Sequence, residues 1–184
     1  GAEWLADAIA SLAFYDSLHP YISVLLCVAG TFMNMITVAV LTHPSMISPV
    51  NVLLSAVAIC DIIVMTSVLV FVTHFQIYAN TRCVPTDFSY TWAIFMYGHA
   101  QASVIFHATS IWLTVILAQI RVLTIRRATK APTEATTVKS TAVIAVVTLL
   151  VVFSVNFPNM LSTEIKGVPA WAFLSCMQED ENNT

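Results

Sequence analysis

Four long apolar runs, separated by polar connections, dominate the pattern of this chain. The runs cover residues 21–41, 50–74, 90–123 and 140–158, and they contain almost no charged side chains. A helix that crosses a bilayer needs about 20 mostly apolar residues, and each run is close to that length or longer. The pattern therefore predicts an all-α fold, a polytopic transmembrane bundle with four helices.

The third run carries polar side chains along one side of its predicted helix. At about 100° per residue, positions that recur at steps of three and four fall within an arc of about 80°. We name this set the polar stripe: it consists of His99, Ser103, His107, Ser110, Thr114 and Arg121, with Leu117 in the remaining register position. A lipid-facing surface gains nothing from such an arrangement, whereas a surface that faces a wet or ligand-lined cavity requires it. We therefore expect the polar stripe to face the interior of the bundle.

The outer half of the polar stripe holds His99, Ser103 and His107. Such side chains could contact a ligand, sense pH or coordinate a metal, or they could satisfy buried polar neighbours. The two histidines are separated by two helical turns, about 12 Å, which is too far for both to bind one ion. We predict ligand contact and no metal centre, with buried structural histidines as the alternative.

Asp61 is the only charged residue of the second run. A carboxylate near the middle of a membrane costs about 2.5–3.5 kcal/mol on insertion scales, so it should face protein or water. The sequence offers Asn34 in the first run and Ser110 in the third run as its partners. Two interpretations follow: a protonated structural aspartate, or a hub linked to water or an ion that changes state when the helices move.

The basic residues are concentrated in one connection. Five of the seven Lys and Arg residues border or lie within residues 121–139, so the positive-inside rule places this loop in the cytoplasm. The N-terminus, residues 75–89 and the tail from about Met160 are then extracellular, which agrees with a glycosylation sequon within that tail, at residues 182–184. Arg121 is either an arginine that reaches the lipid headgroups or, as its register favours, a residue at the inner mouth of the bundle.

This orientation divides the chain into three parts. Residues 1–20 are an extracellular N-terminal segment, residues 21–160 are the membrane domain, and residues 161–184 begin a second outer loop. Within the first part, residues 2–13 form either a short amphipathic helix at the outer interface or a flexible tail. The expected location is the plasma membrane, with several passes and an extracellular N-terminus.

The four cysteines differ in their expected surroundings. Cys27 and Cys60 lie within spans and should pack as small apolar residues. Cys83 and Cys176 lie in the two outer connections, on the oxidising side of the membrane. A bridge between the latter two is allowed, and two free thiols are the alternative.

Composition excludes several classes of function. Hydrophobic residues make up 58% of the chain and charged residues only 9%, whereas soluble domains carry about 25% charged residues. Seven Lys and Arg residues are too few for a phosphate-binding surface, so no nucleic-acid partner is expected. The chain has no nucleophile triad, phosphate-binding loop or zinc motif, and we predict that it is not an enzyme.

Three motifs in the order of the spans resemble those of the rhodopsin-like G-protein-coupled receptors. They are Gly30-Thr-Phe-Met-Asn34, Asn51-Val-Leu-Leu-Ser-Ala-Val-Ala-Ile-Cys-Asp61 and Ser110-Ile-Trp-Leu-Thr-Val-Ile-Leu-Ala-Gln-Ile-Arg121. With His107 three residues before it, the third motif is similar to that of the nematode class-w serpentine receptors and of the related FMRFamide and myosuppressin peptide receptors. The resemblance covers about residues 20–180.

The resemblance implies a role for particular positions. The ligand cavity would be lined by His99, Ser103 and His107. A network of water and an allosteric sodium ion would involve Asn34, Asp61 and Ser110, and no other cofactor is implied. Arg121 would meet the G protein, and Cys176 would be the cysteine of the second outer loop.

The chain also departs from the family pattern. Ile120 and Val122 flank Arg121, where such receptors usually have an acid and an aromatic residue. Met96 occupies the usual cysteine position at the top of the third span, so Cys83 would have to supply the bridge to Cys176. Thr148 lies near the place of the usual tryptophan in the fourth span.

Receptors of this kind have seven spans, and this chain reaches the fourth span and the start of the second outer loop. We therefore expect the N-terminal part of a receptor for an extracellular neuropeptide of the FMRFamide or myosuppressin type. Its binding would shift the population toward a state that is open to a heterotrimeric G protein. The alternatives are a small-molecule chemosensory receptor of the same superfamily and a four-span membrane adaptor, each with membrane lipid around it.

Overall fold

A computed structural model describes residues 3–79, 82, 84–128 and 137–167 of the chain. The secondary structure within these ranges is helical, which confirms the predicted all-α fold. Its four long helices are α1 (Glu3–Leu41), α2 (Pro49–Phe71), α3 (Tyr90–Ala128) and α4 (Val138–Leu161). A π-helical segment, Val72–Ala79, prolongs α2, and short 3-10 turns occupy Pro44–Met46 and Pro85–Phe88.

Each of the four long helices is long and apolar enough to cross a membrane. The stretches that meet this condition are Asp7–Leu41, Pro49–Ala79, Tyr90–Arg126 and Val138–Leu161. All four contain one of the predicted apolar runs and extend beyond it. Hydropathy reports where lipid can surround a helix, whereas backbone hydrogen bonds continue into the polar flanks, so each helical stretch extends beyond its apolar run at one end or at both.

The largest difference from the predicted organisation is at the N-terminus. Residues 3–20 form neither a separate interfacial helix nor a tail, because they continue α1 without interruption through Pro20. The 39 residues of α1 correspond to a helix about 58 Å long, nearly twice the thickness of a hydrocarbon core of about 30 Å. The expected boundary after residue 20 is therefore not a break in secondary structure.

Side-chain caps define where α2 and α4 begin. Ser48 Oγ accepts a hydrogen bond from the backbone N–H of Asn51 at 3.2 Å, and Pro49 occupies the first helical turn. Thr137 Oγ1 accepts from the backbone N–H of Ser140 at 3.2 Å in the same way. Caps of this type satisfy backbone donors that have no partner within the helix, so these residues fix both starts.

The described helices pack around α2 and α3. Helix α2 lies between α1 and α3, and α4 packs against both α2 and α3. The main apolar core lies between the N-terminal part of α2 and the C-terminal part of α3, the ends predicted to be cytoplasmic; its buried members are Leu53, Leu113, Leu117 and Ile120. Of the four apolar stretches, α3 has the largest buried share, 33% against 6% for α1. Helix α3 is therefore the most buried of the four, and α2 is the helix that contacts the other three.

A close approach between α1 and α2 occurs at Gly30. A Cβ atom at this position would lie 2.5 Å from Met65 Sδ and 2.8 Å from Met65 Cε. Both distances are shorter than a non-bonded contact, so the thioether of Met65 occupies the space that a larger residue would need. Gly30 thus allows the two helices to pack closely at this level.

Candidate functional site

Asp61 and Ser110 are joined in the middle of the bundle. Ser110 Oγ donates a hydrogen bond to Asp61 Oδ1 at 3.0 Å, and this bond connects α2 to α3. Ser110 is buried and Asp61 is half-buried. A hydrogen bond to a carboxylate offsets part of the cost of placing this group at membrane depth. The predicted contact between these two side chains is present.

Asn34 makes a local hydrogen bond instead of the predicted one to Asp61. Its Nδ2 donates to the carbonyl oxygen of Gly30, one turn earlier in α1, at 3.0 Å. A side chain on a helix can reach the carbonyl four residues back without moving its neighbours, so the local acceptor competes with a group on another helix. The place of Asn34 in a water-linked network with Asp61 stays a prediction.

His99 connects α3 to the outer half of α2. Its Nδ1 lies 3.1 Å from Ser67 Oγ and 3.5 Å from Ser103 Oγ. The imidazole stacks on Phe71 with ring centroids 4.9 Å apart and an interplanar angle of 10°. Two of the three predicted ligand residues, His99 and Ser103, are therefore adjacent and half-buried.

The polar stripe lies along one margin of the packed face of α3. Ser110 and Leu117 are buried, and His99 and Ser103 are half-buried. The remaining members are exposed within the four described helices: His107, Thr114 and Arg121. The prediction that the whole stripe faces the interior of a complete bundle stays a prediction, but the described helices leave these three side chains uncovered. The reason is that the described helices cover a neighbouring face of α3.

That neighbouring face contains polar residues that the sequence analysis missed. Thr109 is 1% exposed, and its Oγ1 donates to the carbonyl of Ile105 at 2.7 Å. A threonine whose hydroxyl bonds to its own helix can be buried without a hydrogen-bond partner on another helix. Thr109 can therefore lie on the packed face of α3. Gln101 is also buried, and its Oε1 has no hydrogen-bond partner among the described residues.

A second group that the sequence analysis missed lies at the outer ends of α2 and α3. His74, in the π-helical segment, stacks on Trp92 with centroids 3.3 Å apart and an interplanar angle of 10°. It meets Phe75 edge-on at 4.7 Å, and its Nε2 lies 3.0 Å from the carbonyl oxygen of Asp87. His74 is 9% exposed. It therefore ties α2, α3 and the connection between them together.

The connection itself carries an ion pair. Arg82 Nε lies 3.9 Å from Asp87 Oδ2, and the Asp87 side chain is only 14% exposed. The same oxygen accepts no hydrogen bond from any described residue, so the attraction acts across a gap wider than a direct contact. The guanidinium also lies over the ring of Tyr78, with its Cζ 5.1 Å from the centroid. These contacts hold the loop against the π-helical segment.

An apolar cavity of about 730 Å³ opens beside this aromatic group, and we name it the outer cavity. Its walls include Phe75, Phe88, Tyr90, Trp92 and Met96, and residues 165–167, which follow α4, close another side. Trp92 and Met96 precede His99 at steps of four and three, so they fall within the same arc of α3 as the polar stripe. The outer cavity therefore continues the polar stripe toward the end of α3 that is predicted to be extracellular.

Arg121 lies at the opposite end of the same face and is exposed. Among the described residues, ion pairs join Arg82 to Asp87 and Lys166 to Glu164, and neither involves Arg121. Its neighbour Ile120 is buried in the apolar core, where the receptor pattern has an acid. No carboxylate of the described part therefore restrains this guanidinium.

The cysteines divide as expected where the structure describes them. Cys27 and Cys60 are buried free thiols, which confirms that they pack within the spans. Cys83, Cys176 and the sequon at residues 182–184 lie outside the described residues. Within the described ranges, His, Cys, Asp and Glu side chains form no group of three or more that could hold a metal ion.

Two sequence comparisons relate this chain to known proteins. Residues 21–184 match the family described as "Serpentine type 7TM GPCR chemoreceptor Srw". The G-protein coupled receptor dmsr-1 of Caenorhabditis elegans is 38% identical over 167 residues, which are 90% of this chain and 33% of that receptor. The chain thus spans about a third of the length of this relative. No solved structure matches the chain.

Proposed function

Because this chain belongs to the Srw family of serpentine seven-transmembrane G-protein-coupled receptors, we propose that its four helices are the first four spans of a receptor for an extracellular peptide. The family is one of receptors, not of enzymes. The proposal places the protein in the plasma membrane with its N-terminus outside. A heterotrimeric G protein is the proposed partner at the cytoplasmic end of α3.

The observation that carries the proposal is the length of the continuous face on α3. From Trp92 in the outer cavity to His107 in the polar stripe there are fifteen residues, about 22 Å along the helix. An extended peptide of about seven residues covers this distance, because each residue spans about 3.3 Å. A small volatile molecule reaches only one end of it. The face therefore favours a peptide ligand, and FMRFamide and myosuppressin peptides are the class that the sequence motifs imply.

Two interhelical hydrogen bonds suggest how ligand binding would be transmitted. His99 contacts Ser67 at 3.1 Å and, about three turns further in, Ser110 donates to Asp61 at 3.0 Å. Both bonds join α2 to α3. A ligand that binds His99 and Ser103 competes with Ser67 for His99. It therefore favours the arrangement of α2 and α3 in which His99 is not bound to Ser67. Arg121, at the inner end of the same helix, would then meet the G protein.

Asp61 and Ser110 also fit the sodium site that the family pattern implies. A carboxylate and a hydroxyl are oxygen ligands, the type that hard cations prefer. Their oxygens lie 3.0 Å apart, so both could contact one ion. Bound sodium would supply positive charge beside the Asp61 carboxylate.

A second candidate is a receptor for small molecules, because the matching family is described as chemoreceptors. In this case the ligand would occupy only the part of the face near His99 and Ser103. The peptide and small-molecule functions differ in what they require of the outer cavity. A small ligand near Ser103 does not reach Trp92, about 16 Å away along α3.

The experiment is a ligand screen on the full-length receptor in cultured cells. Amidated Arg-Phe peptides, including myosuppressin-type sequences, and a set of volatile compounds are tested for G-protein activation. We expect activation by peptides and no response to the volatiles. Activation by volatiles alone would establish the small-molecule function instead. A receptor that reaches the cell surface and responds to neither set would contradict the peptide proposal.

A further inference from the structure

We propose that the outer cavity is a subsite for an uncharged aromatic side chain of the extracellular ligand. This inference rests on the proposed function, because it names the part of the ligand that this region selects. It adds a determinant of specificity to the polar positions His99, Ser103 and His107. The argument depends on the volume, charge and rigidity of the cavity walls.

The volume suits a side chain together with its neighbouring backbone. Ligand sites in proteins have volumes of roughly 300–1,000 Å³, and the outer cavity has about 730 Å³. Four aromatic rings and a thioether line it: Phe75, Phe88, Tyr90, Trp92 and Met96. Aromatic rings pack favourably edge-to-face or offset with other rings, and a methionine sulfur adds a contact of the same kind.

The described lining offers no unpaired partner for a charged group. Among the described residues it contains no carboxylate, and Lys166 is its one charged residue. Lys166 Nζ already lies 3.4 Å from Glu164 Oε2, and both side chains are largely exposed to solvent. An anion that entered the cavity would lose its hydration without gaining an unpaired positive charge. A cation would lie near the ammonium group of Lys166, which repels it. The charge of the walls therefore favours a neutral occupant.

Trp92 forms a wall that is fixed before any ligand arrives. One face of its indole is covered by His74, whose centroid lies 3.3 Å away. Phe75 and Phe95 meet it edge-on, each at 5.7 Å, with interplanar angles of 82° and 84°. A surface that is already ordered loses little conformational entropy when it binds. The remaining surface of the indole is the part available to the ligand.

The position of the cavity also indicates which part of the ligand binds there. Trp92 and Met96 lie on the face of α3 that continues into His99 and Ser103, which the proposed function assigns to the ligand. A group bound in the outer cavity is therefore attached to a molecule that extends toward the polar stripe. For a peptide this group is a side chain, and the walls select a phenyl, phenol or indole ring.

The test measures the reactivity of a cysteine introduced into the cavity of the full-length receptor. Met96→Cys is compared with Thr91→Cys, an exposed position on α3 outside the cavity. Each variant reacts with three methanethiosulfonates: a neutral benzyl reagent, a cationic trimethylammonium-ethyl reagent and an anionic sulfonatoethyl reagent. The unsubstituted receptor gives the background from the native cysteines.

For each charged reagent, we expect the ratio of the benzyl reaction rate to the charged-reagent rate to be about five times higher at Met96→Cys than at Thr91→Cys. One aromatic contact implies a preference of this size. Adding Trp92→Ala should remove this preference. If that variant fails to reach the cell surface, Phe88→Ala, at another residue of the lining, serves the same purpose. Equal reagent ratios at both positions, or a preference for either charged reagent in the cavity, would overturn the proposal.

The result is independent of receptor activation. If the benzyl preference is present while no peptide activates the receptor, the subsite stands and the peptide function fails. If peptides activate the receptor while the preference is absent, the peptide function stands and the aromatic subsite fails.

Discussion

His74 and Trp92 are stacked with ring centroids 3.3 Å apart, and this contact joins the π-helical end of the second span to the top of the third span. His74 is also held by the carbonyl oxygen of Asp87 at 3.0 Å. One buried imidazole therefore fixes three segments, and the indole that it supports forms a wall of the outer cavity. The π-helical turn matters here because an added residue in a helical turn redirects the side chains that follow it.

Replacement of His74 tests whether both of its contacts contribute to stability. His74→Ala removes the stack and the hydrogen bond, and we expect a loss of about 2 kcal/mol in the free energy of unfolding. His74→Phe keeps a ring against Trp92 and loses only the polar contact, so its loss should be about 1 kcal/mol. Denaturant titration of the full-length receptor in detergent micelles measures both values.

The control for these variants is His107→Ala. His107 is exposed within the described helices and has no contact of the kind that His74 makes, so its removal should change stability by less than about 0.5 kcal/mol. Equal losses for His74→Ala and His107→Ala would show that the stacked imidazole does not hold the outer ends together.

The parts of this architecture that follow from residue type and regular helical spacing could be predicted from the sequence. The four spans depend on apolar content, and the contact of Asp61 with Ser110 depends on the cost of an unpaired carboxylate in a membrane. Both are properties of residue type and of position along a regular helix. Neither requires knowledge of how individual turns deviate from ideal geometry.

The features that could not be predicted depend on such deviations or on competition between local and distant partners. Register arguments assume 3.6 residues per turn, so they do not place His74 beyond a π-helical segment opposite Trp92. Asn34 has an acceptor in its own helix, and residue type alone does not decide between that carbonyl and Asp61. Pro20 indicates a possible helix boundary in a sequence, yet α1 continues through it.

The hydrogen bond between Ser110 and Asp61 should stabilise the packing of the second span on the third. Ser110→Ala leaves the carboxylate without this donor, and we expect a loss of about 1 kcal/mol, typical of interhelical hydrogen bonds in membranes. In a double-mutant cycle with Asp61→Ala, the two substitutions should be non-additive by a similar amount. The free energy of unfolding in detergent micelles is the measurement.

Ser154→Ala provides the matched control for that cycle. Ser154 is an exposed serine in a neighbouring span, and its hydroxyl donates to the carbonyl of Leu150 in its own helix at 2.8 Å. Ser154→Ala should lower the free energy of unfolding only slightly, because it breaks no contact between helices. Additive effects of Ser110→Ala and Asp61→Ala would rule out a direct energetic link between the two side chains.

The close approach at Gly30 leads to opposite expectations for two glycines in spans. Gly30→Ala places a Cβ 2.5 Å from Met65 Sδ, and we expect a loss of about 1 kcal/mol because the flexible thioether must move. A Cβ at Gly98 meets no atom within 4 Å, so Gly98→Ala should be neutral or stabilise by up to about 1 kcal/mol through helix propensity. Unfolding titrations of the two variants provide the comparison.

Met65→Ala should rescue the Gly30 variant. Removal of the thioether opens the space that the new methyl group needs, so Gly30→Ala should cost less in the Met65→Ala background than in the unsubstituted receptor. An unchanged cost in that background would assign the effect of Gly30→Ala to something other than this contact.

Arg121 should act on signalling and not on ligand binding. It is exposed at the inner end of the third span and has no carboxylate partner among the described residues, so Arg121→Ala should leave stability nearly unchanged and remove G-protein activation. Arg121→Lys should recover little activity, because an ammonium lacks the planar set of donors of a guanidinium. Activation and ligand binding are measured on the full-length receptor at equal surface expression, with Lys139→Ala as a control that removes another exposed positive charge, at the start of the fourth span. Normal activation by Arg121→Ala, or a loss of equal size with Lys139→Ala, would contradict a specific role for this guanidinium.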